Sequence, residues 1–289
     1  MNGPAPLASI PAPLLAPGWQ HFAVSIGLLS LAQAAVVALP RRQRPARLER
    51  LRSGWWALIP AVSVVAFVFG VRALGGVADG LAYLALVAVP PLAAAGLWWC
   101  VRGARPHYAL AVLPLFALAW ADRGSVPAEV AGVLLDALSC VALGVLLVAV
   151  TPRVAVKIAI IVMAATDVWV VATNLLAAPN HALMTVVPVA HLPQLQSVTL
   201  WDATMGYGDF FLAGLLGALL ARDRALQLRG AFIVGVLALA LDLLFLTVNV
   251  LPATAPIALT LIVIELVAWR SRVSSDTQGD APALKEAGR

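Results

Sequence analysis

The sequence predicts an all-α integral membrane protein with nine transmembrane helices, its N-terminus outside and its C-terminus cytoplasmic. Two observations predict this class. Of the 289 residues, 62% are hydrophobic and 11% are charged, and the mean hydropathy of +0.95 lies outside the range of soluble domains. The chain also divides into nine apolar runs separated by charged, proline or glycine breaks. A soluble globular protein is therefore excluded, and the lipid bilayer is the expected environment.

Each apolar run is predicted to span the membrane, because about twenty apolar residues cross about 30 Å of hydrocarbon. Each run is also expected to be helical, since lipid offers no partner to an open backbone. The fourth run is the shortest of the set. The runs are 18–39, 54–74, 80–101, 108–120, 127–150, 154–178, 199–221, 230–250 and 252–269.

Basic residues mark every second connection between the runs. The N-terminus and the second, sixth and eighth connections have none, and the fourth has only Arg123. Because positively charged loops stay on the cytoplasmic side, the odd connections and the C-terminus are predicted to be cytoplasmic. These loops account for the formal charge of +5, so we expect no nucleic-acid partner. The basic residues are Arg41, Arg42, Arg44, Arg47, Arg50, Arg52, Arg102, Arg105, Arg153, Lys157, Arg222, Arg224, Arg229, Arg270 and Arg272.

Two aspartates, Asp167 and Asp209, fall inside apolar runs. A carboxylate near the bilayer centre costs several kcal/mol, so such residues usually serve a function. At about 1.5 Å per helical residue, Asp167 lies roughly 21 Å from Arg153 and Asp209 lies roughly 20 Å from Arg222. Carboxyl groups at matched depth on antiparallel neighbouring helices can face each other. A facing pair shares one proton, which is the arrangement that aspartic proteases use without metal or cofactor.

The residues around these aspartates narrow the interpretation. Two intramembrane acids also suit a channel or transporter, where they would hydrogen-bond to other helices. However, Asp209 ends the motif Gly206-Tyr207-Gly208-Asp209, in which the glycines allow close backbone approach and a positive φ. The segment Pro252-Ala253-Thr254 opens the last apolar run. The prolines of this run, Pro252 and Pro256, are expected to leave nearby backbone groups free of helical hydrogen bonds.

With these motifs in the sixth, seventh and ninth runs, the sequence resembles the presenilin and signal peptide peptidase family of intramembrane aspartyl proteases. The family's G-x-G-D motif is intact at Gly206 to Asp209. Thr166 stands where the family usually has tyrosine before the first aspartate, and Pro252-Ala253-Thr254 stands for Pro-Ala-Leu. The resemblance covers spans six to nine, whereas the first five match only as spans. An outside N-terminus places the chain with the signal peptide peptidase group.

The resemblance implies a protease that hydrolyses peptide bonds within or near the transmembrane segments of membrane proteins. It divides the chain into a five-helix scaffold (1–153) and a catalytic four-helix region (154–270), and the polar composition of 271–289 predicts a disordered cytoplasmic tail. Substituting the family's residue, Thr254→Leu, is expected to be tolerated. The implied catalytic residues are Asp167 and Asp209, and the supporting residues are Gly206, Tyr207, Gly208, Pro252, Ala253 and Thr254.

Two alternatives stay open at this point. A prepilin-peptidase-like enzyme also uses G-x-G-D but cuts near the membrane surface. A proton- or cation-coupled transporter would line a path with Asp136, Asp167, Asp209 and Asp242, although no internal repeat typical of transporters is evident. Asp136 and Asp242 are otherwise expected to pair with neighbouring helices or with water.

Two further features complete the sequence-based expectations. The connection 179–205 is rich in β-branched residues at 185–189 and 197–200, which favours an extended segment that could hold a substrate as an added strand. His181, His191 and Asp202 fit no standard metal spacing, so no metal site is predicted. Arginine outnumbers lysine 17 to 2, which is typical of GC-rich prokaryotic genomes, and the expected location is a bacterial plasma membrane.

Overall fold

The structure is a computed structural model that describes residues 19–42, 48, 50–73, 76–173, 175, 182–183, 186, 188, 192–246 and 251–279. Nine α-helices and one β-hairpin follow one another in these ranges. The elements are α1 (Trp19–Ala38), α2 (Leu58–Ala73), α3 (Val77–Ala95), α4 (Val112–Ala121), α5 (Val126–Val150), α6 (Arg153–Ala172), β1 (Ser197–Leu200), β2 (Ala203–Gly206), α7 (Tyr207–Leu220), α8 (Arg224–Asp242) and α9 (Ala255–Gly279). Short 3₁₀ or π turns adjoin α2, α3, α4 and α8 at Gly54–Ala57, Gly96–Cys100, Pro106–Ala111 and Leu243–Leu246.

Five of the described helices are long and apolar enough to cross a membrane. Two further segments, Pro106–Ala121 and Tyr207–Leu220, are apolar but shorter. The all-α membrane class predicted from composition is therefore confirmed. The five helices are Gln20–Ala38, Val77–Cys100, Val126–Val150, Arg153–Ala172 and Arg224–Phe245.

Helix α7 occupies the centre of the bundle, where α1, α5, α6, α8 and α9 all pack against it. Its glycines allow backbone-to-backbone contact. A Cβ atom on Gly214 would lie 2.5 Å from the Cys140 carbonyl oxygen of α5, and one on Gly144 would lie 2.5 Å from the Gly214 carbonyl carbon. Gly217 approaches the Val37 carbonyl of α1 in the same way. The glycines of α7 thus form a surface for close helix packing.

The prediction of one continuous helix over the seventh run, 199–221, was wrong. Residues 197–206 form an antiparallel hairpin that pairs Ser197 with Gly206 and Thr199 with Thr204, and α7 begins only at Tyr207. Alternate side chains such as Val198 and Met205 are buried, which is the pattern of a strand with one packed face. The hairpin packs on α5 and α1 through this buried face.

The hairpin confirms the prediction of an extended segment immediately before Asp209. The other β-branched stretch, 185–189, lies largely outside the described residues, as do His181 and His191.

Other helix limits also differ from the predicted runs. The sixth helix ends at Ala172 rather than at 178, and the eighth begins at Arg224 rather than at 230. Helix α9 begins at Ala255, three residues after Pro252, and continues to Gly279. The helix thus extends past residue 271, where the predicted disordered tail begins, because an anchored helix extends without a new nucleation cost. Residues 280–289 lie outside the described part.

The odd-numbered connections meet at one end of the bundle. The Arg41 N–H donates to the Cys100 carbonyl, and the Arg102 N–H donates to the Leu39 carbonyl, which joins the first connection to the third. A small cavity of about 50 Å³ at this end is lined by Arg41, Arg42, Arg153 and Arg222 from the first, fifth and seventh connections. Burial, together with the neighbouring Arg224 and Arg41, lowers the pKa of the Arg102 guanidinium. We call this the arginine end.

Candidate active site

Asp167 lies on the face of α6 that turns toward the bundle. The buried residues Val156, Ile160 and Met163 recur at intervals of four and three, and Asp167 continues this stripe one turn further. The opposite face, which includes Val168 and Trp169, is exposed. The helical period therefore directs the carboxyl group inward.

Asp209 occupies the first turn of α7, where its Oδ2 accepts a hydrogen bond of 3.0 Å from the Gly206 N–H. Gly208 lies against α6, since a Cβ atom there would be 3.3 Å from the Met163 Cε. The glycines of the motif thus serve close approach. The expected positive φ was wrong, because Gly206 has φ −66 and the described glycines with positive φ are Gly76, Gly103 and Gly124.

Thr254 is bonded directly to the first aspartate. Its hydroxyl donates to Asp167 Oδ2 at 2.6 Å, and its backbone N–H also interacts with that carboxyl group. Such a short bond is typical of a hydroxyl donating to a carboxylate. Leucine has no donor, and Thr254 is only 2% exposed, so the basis for expecting Thr254→Leu to be tolerated is lost.

A second contact between α6 and α9 lies outside the cavity lining. Lys157 Nζ and Glu265 Oε1 form an ion pair of 2.6 Å, ten residues before Asp167 on α6 and eleven residues after Thr254 on α9. Because the two helices are antiparallel and rise equally per residue, the ion pair and the Thr254 bond are compatible with one alignment.

Gln33 of α1 is a site residue that the sequence analysis missed. Its Nε2 donates to the Ala253 carbonyl at 3.0 Å and, more weakly, to the Asp209 carbonyl at 3.4 Å. It therefore holds the Pro252-Ala253-Thr254 segment beside the start of α7. The Ala253 carbonyl, one of the backbone groups near Pro252, thus accepts a side-chain hydrogen bond. A polar residue inside the first apolar run, three positions after Ser30, was the available signal.

Two contacts with α5 hold Tyr207 in place. Its hydroxyl lies 2.7 Å from Ser139 Oγ, and because Ser139 donates to the Asp136 carbonyl, the tyrosine is the donor. The Cys140 thiol points at the Tyr207 carbonyl with a separation of 3.7 Å. These contacts fix the first residue of α7 and with it the position of Asp209.

All eight predicted site residues line one cavity of about 920 Å³. Both aspartates are half-buried at its wall, and they interact electrostatically with each other. The remaining wall comes mainly from apolar side chains of α1, α2, α3, α5 and α8. The lining residues within the described ranges include no lysine, arginine or histidine. The cavity thus joins the two carboxyl groups to a large apolar space.

The two further intramembrane acids have different surroundings. Asp242 lines the same cavity, and its Oδ2 accepts a hydrogen bond of 2.8 Å from Ser30 on α1, which confirms pairing with a neighbouring helix. Asp136 is buried on α5 outside the cavity lining, with Oδ1 unpartnered among the described residues. Within the described ranges no group of three His, Cys, Asp or Glu residues is placed to hold a metal ion.

Comparison with protein-family models, with curated proteins and with solved structures found no match to this chain.

Proposed function

We propose that the protein is an intramembrane aspartyl protease of the presenilin and signal peptide peptidase type. One observation carries the proposal: Asp167 on α6 and Asp209 on α7 meet at the wall of a single apolar cavity, together with the segment at Pro252 to Thr254. These are the residues whose motifs resemble the family's. A bundle that used the aspartates only for packing would have no need of a large cavity that both of them line.

The chemistry follows from two carboxyl groups that share one proton. The ionised carboxylate takes a proton from water as the oxygen attacks the scissile carbonyl carbon. The protonated carboxyl group donates to the carbonyl oxygen, giving a tetrahedral diol. Collapse of the diol breaks the C–N bond as the amine leaving group receives a proton. No metal or cofactor takes part.

A transmembrane peptide is the substrate class that the cavity suits. Its volume of about 920 Å³ lies near the upper end of the range for ligand pockets, and its walls are mostly apolar. A helical substrate must unwind before its carbonyl can be attacked. Thr204, Met205 and Gly206 of β2 line the cavity, so an unwound segment can add to the hairpin as a further strand.

The proposed topology has nine spans, with the N-terminus outside and the C-terminus in the cytoplasm of a bacterial cell. The meeting of Arg41, Arg102, Arg153 and Arg222 near one end supports the alternation, because those residues come from the four odd connections. Positive charge marks that end as cytoplasmic. Insertion of a glycosylation or cysteine-labelling tag at each connection tests this topology.

A proton- or cation-coupled transporter is the second candidate, and one observation favours it. Asp242 joins Asp167 and Asp209 at the same cavity, and three acids along one space can form an ion path. The hairpin and the Thr254 bond to Asp167 find no use in that scheme. A prepilin-peptidase-like enzyme is the third possibility, and it would cut its substrate in a segment outside the bilayer.

The deciding experiment uses the purified full chain in detergent or liposomes with a tagged single-span peptide. We expect fragments, identified by mass spectrometry, from cleavage within the span. Asp209→Ala should remove them, while Glu265→Gln, which changes an acid at a partly exposed site outside the cavity lining, should retain them. Cleavage only outside the span supports the prepilin-peptidase type. No cleavage, together with Asp209-dependent solute flux in liposomes, supports the transporter.

An inhibitor provides an independent test. A peptide in which a hydroxyl-bearing carbon replaces the scissile carbonyl mimics the tetrahedral intermediate, so a protease should bind it more tightly than the parent peptide. The binding should protect Asp167 and Asp209 from carbodiimide modification. Equal affinity for mimic and parent peptide would contradict the protease proposal.

A further inference from the structure

A polar patch lies on the cavity wall beside the two catalytic aspartates, formed by Ser30 and Gln33 of α1 and Asp242 of α8. Ser30 and Gln33 are three residues apart, so they share one helix face. Ser30 donates to Asp242 Oδ2 at 2.8 Å. These three side chains form a polar patch in a wall that is mostly apolar, and we call it the Asp242 patch.

The charged side chains that line the cavity, among the described residues, are all acidic. The described lining residues include three carboxyl groups, from Asp167, Asp209 and Asp242, and no basic side chain. Catalysis as proposed uses only the first two. Asp242 is partly exposed, and the only described side chain bonded to it is a neutral hydroxyl. A ligand that brings an ammonium or guanidinium group to this point gains a charge-assisted hydrogen bond.

Gln33 supplies a second, independent indication of a ligand. The side chain is only 1% exposed and lines the cavity, yet its Oε1 has no hydrogen-bond partner among the described residues. A buried amide oxygen without a donor costs about 1–3 kcal/mol. An extended peptide in the cavity carries backbone N–H groups that can approach the Gln33 amide after a small side-chain adjustment.

The position of the patch relative to the catalytic pair follows from the helices. Ser30 precedes Gln33, which contacts the Asp209 carbonyl, by three residues, or about 4.5 Å of rise. On α8, Asp242 is 18 residues from Arg224 at the arginine end, about 27 Å, whereas Asp209 is 13 residues from Arg222, about 20 Å. Both estimates place the Asp242 patch farther from the arginine end than the two catalytic aspartates. The difference corresponds to about two residues of an extended peptide, at about 3.3 Å for each residue.

We propose that the Asp242 patch is a substrate subsite that selects a lysine or arginine about two residues from the scissile bond. The inference rests on the proposed protease function and adds a substrate preference to it. A cationic residue within a transmembrane segment is uncommon, so the subsite would distinguish a small class of single-span substrates.

The experiment uses a tagged single-span peptide and replaces one residue at a time, on both sides of the scissile bond, with lysine or norleucine. Norleucine keeps the four-carbon stem of lysine without the ammonium group. For the wild-type chain we expect kcat/KM to be about tenfold higher for lysine than for norleucine at one position near the second residue, corresponding to about 1.4 kcal/mol. The ratio is measured within each variant, so loss of overall activity does not affect it.

Three variants test the assignment. Asp242→Asn should bring the lysine-to-norleucine ratio close to one, whereas Glu265→Gln should leave it at the wild-type value. Asp242→Lys should reverse the preference, so that a glutamate peptide is favoured over its lysine counterpart. A ratio near one at every position in the wild type, or a ratio unchanged in Asp242→Asn, would overturn the subsite while cleavage itself still supports the protease.

A binding measurement separates the two proposals when cleavage is absent. In the Asp209→Ala chain, the affinity of the lysine peptide over the norleucine peptide is compared with and without Asp242→Asn. An Asp242-dependent preference supports the subsite even if no variant cleaves peptide, in which case only the protease proposal fails. No preference in binding and none in turnover would refute the subsite.

Discussion

The bond between Thr254 and Asp167 gives the sharpest test of the site. Thr254→Val keeps the branched shape and approximate volume of a side chain that is 2% exposed, and it removes the hydroxyl that donates to Asp167 Oδ2 at 2.6 Å. A hydrogen bond to a charged group contributes about 1.5–3 kcal/mol. If that bond orients the carboxyl group during catalysis, kcat/KM falls by about 10- to 150-fold, at 1.36 kcal/mol for each factor of ten.

The assay is cleavage of a tagged single-span peptide, with Thr254→Ser as the matched control. Serine retains the hydroxyl, so its activity should stay within about threefold of wild type, because only a methyl contact is lost. Thermal unfolding in the same detergent shows whether either variant is destabilised. Wild-type turnover by Thr254→Val, or an equal loss in Thr254→Ser, would show that the hydroxyl does not orient Asp167.

Three other outcomes are expected. Asp167→Asn and Asp209→Asn should each abolish peptide cleavage with little change in the unfolding midpoint, since the pair needs both a proton donor and an acceptor; near-normal turnover in either contradicts the pair. Gly214→Ala should lower stability by about 1–3 kcal/mol through overpacking against α5. Gly132→Ala, where a Cβ meets nothing within 4 Å, should not lower it, and equal midpoints would contradict the close contact. Tyr207→Phe should lower stability by about 0.5–1.5 kcal/mol and reduce turnover less than Thr254→Val does.

The helices could be predicted from sequence because each apolar run is bounded by charges, prolines or glycines. The hairpin could not, because 199–206 continues into the apolar residues of α7 without a proline, lysine or arginine between them, and the mean hydropathy of such a run does not distinguish a strand from a helix. The β-branched residues before Gly206 were the local signal, and they predicted the extended segment but not its reversal at Trp201, which has φ 50. Composition likewise gave no reason to extend α9 to Gly279.

The candidate site was only partly predictable for a related reason. Short motifs identified Asp167, Asp209 and the segment at Pro252, because each of these motifs consists of residues that are neighbours in the sequence. Gln33 and Ser30 come from the first helix, far away in the chain, and nothing local indicates that they reach the same cavity. Thr254 was expected to be replaceable by leucine, because the sequence does not show that its hydroxyl bonds to Asp167 on another helix. The sequence therefore did not predict which side chains on different helices contact one another.

The two aspartates differ in how firmly the fold holds them. Asp209 lies in the first turn of α7, whose residues are mostly buried, and Gly144 and Gly214 bring the backbones of α5 and α7 into contact. Asp167 lies on α6, one face of which is exposed, and α6 is tied to α9 by the Thr254 bond and by a partly exposed ion pair. Exposed ion pairs contribute about 0–1 kcal/mol. The Thr254 bond therefore does more to set the separation of the two carboxyl groups, and a substrate that enters beside α6 must be accommodated without breaking it.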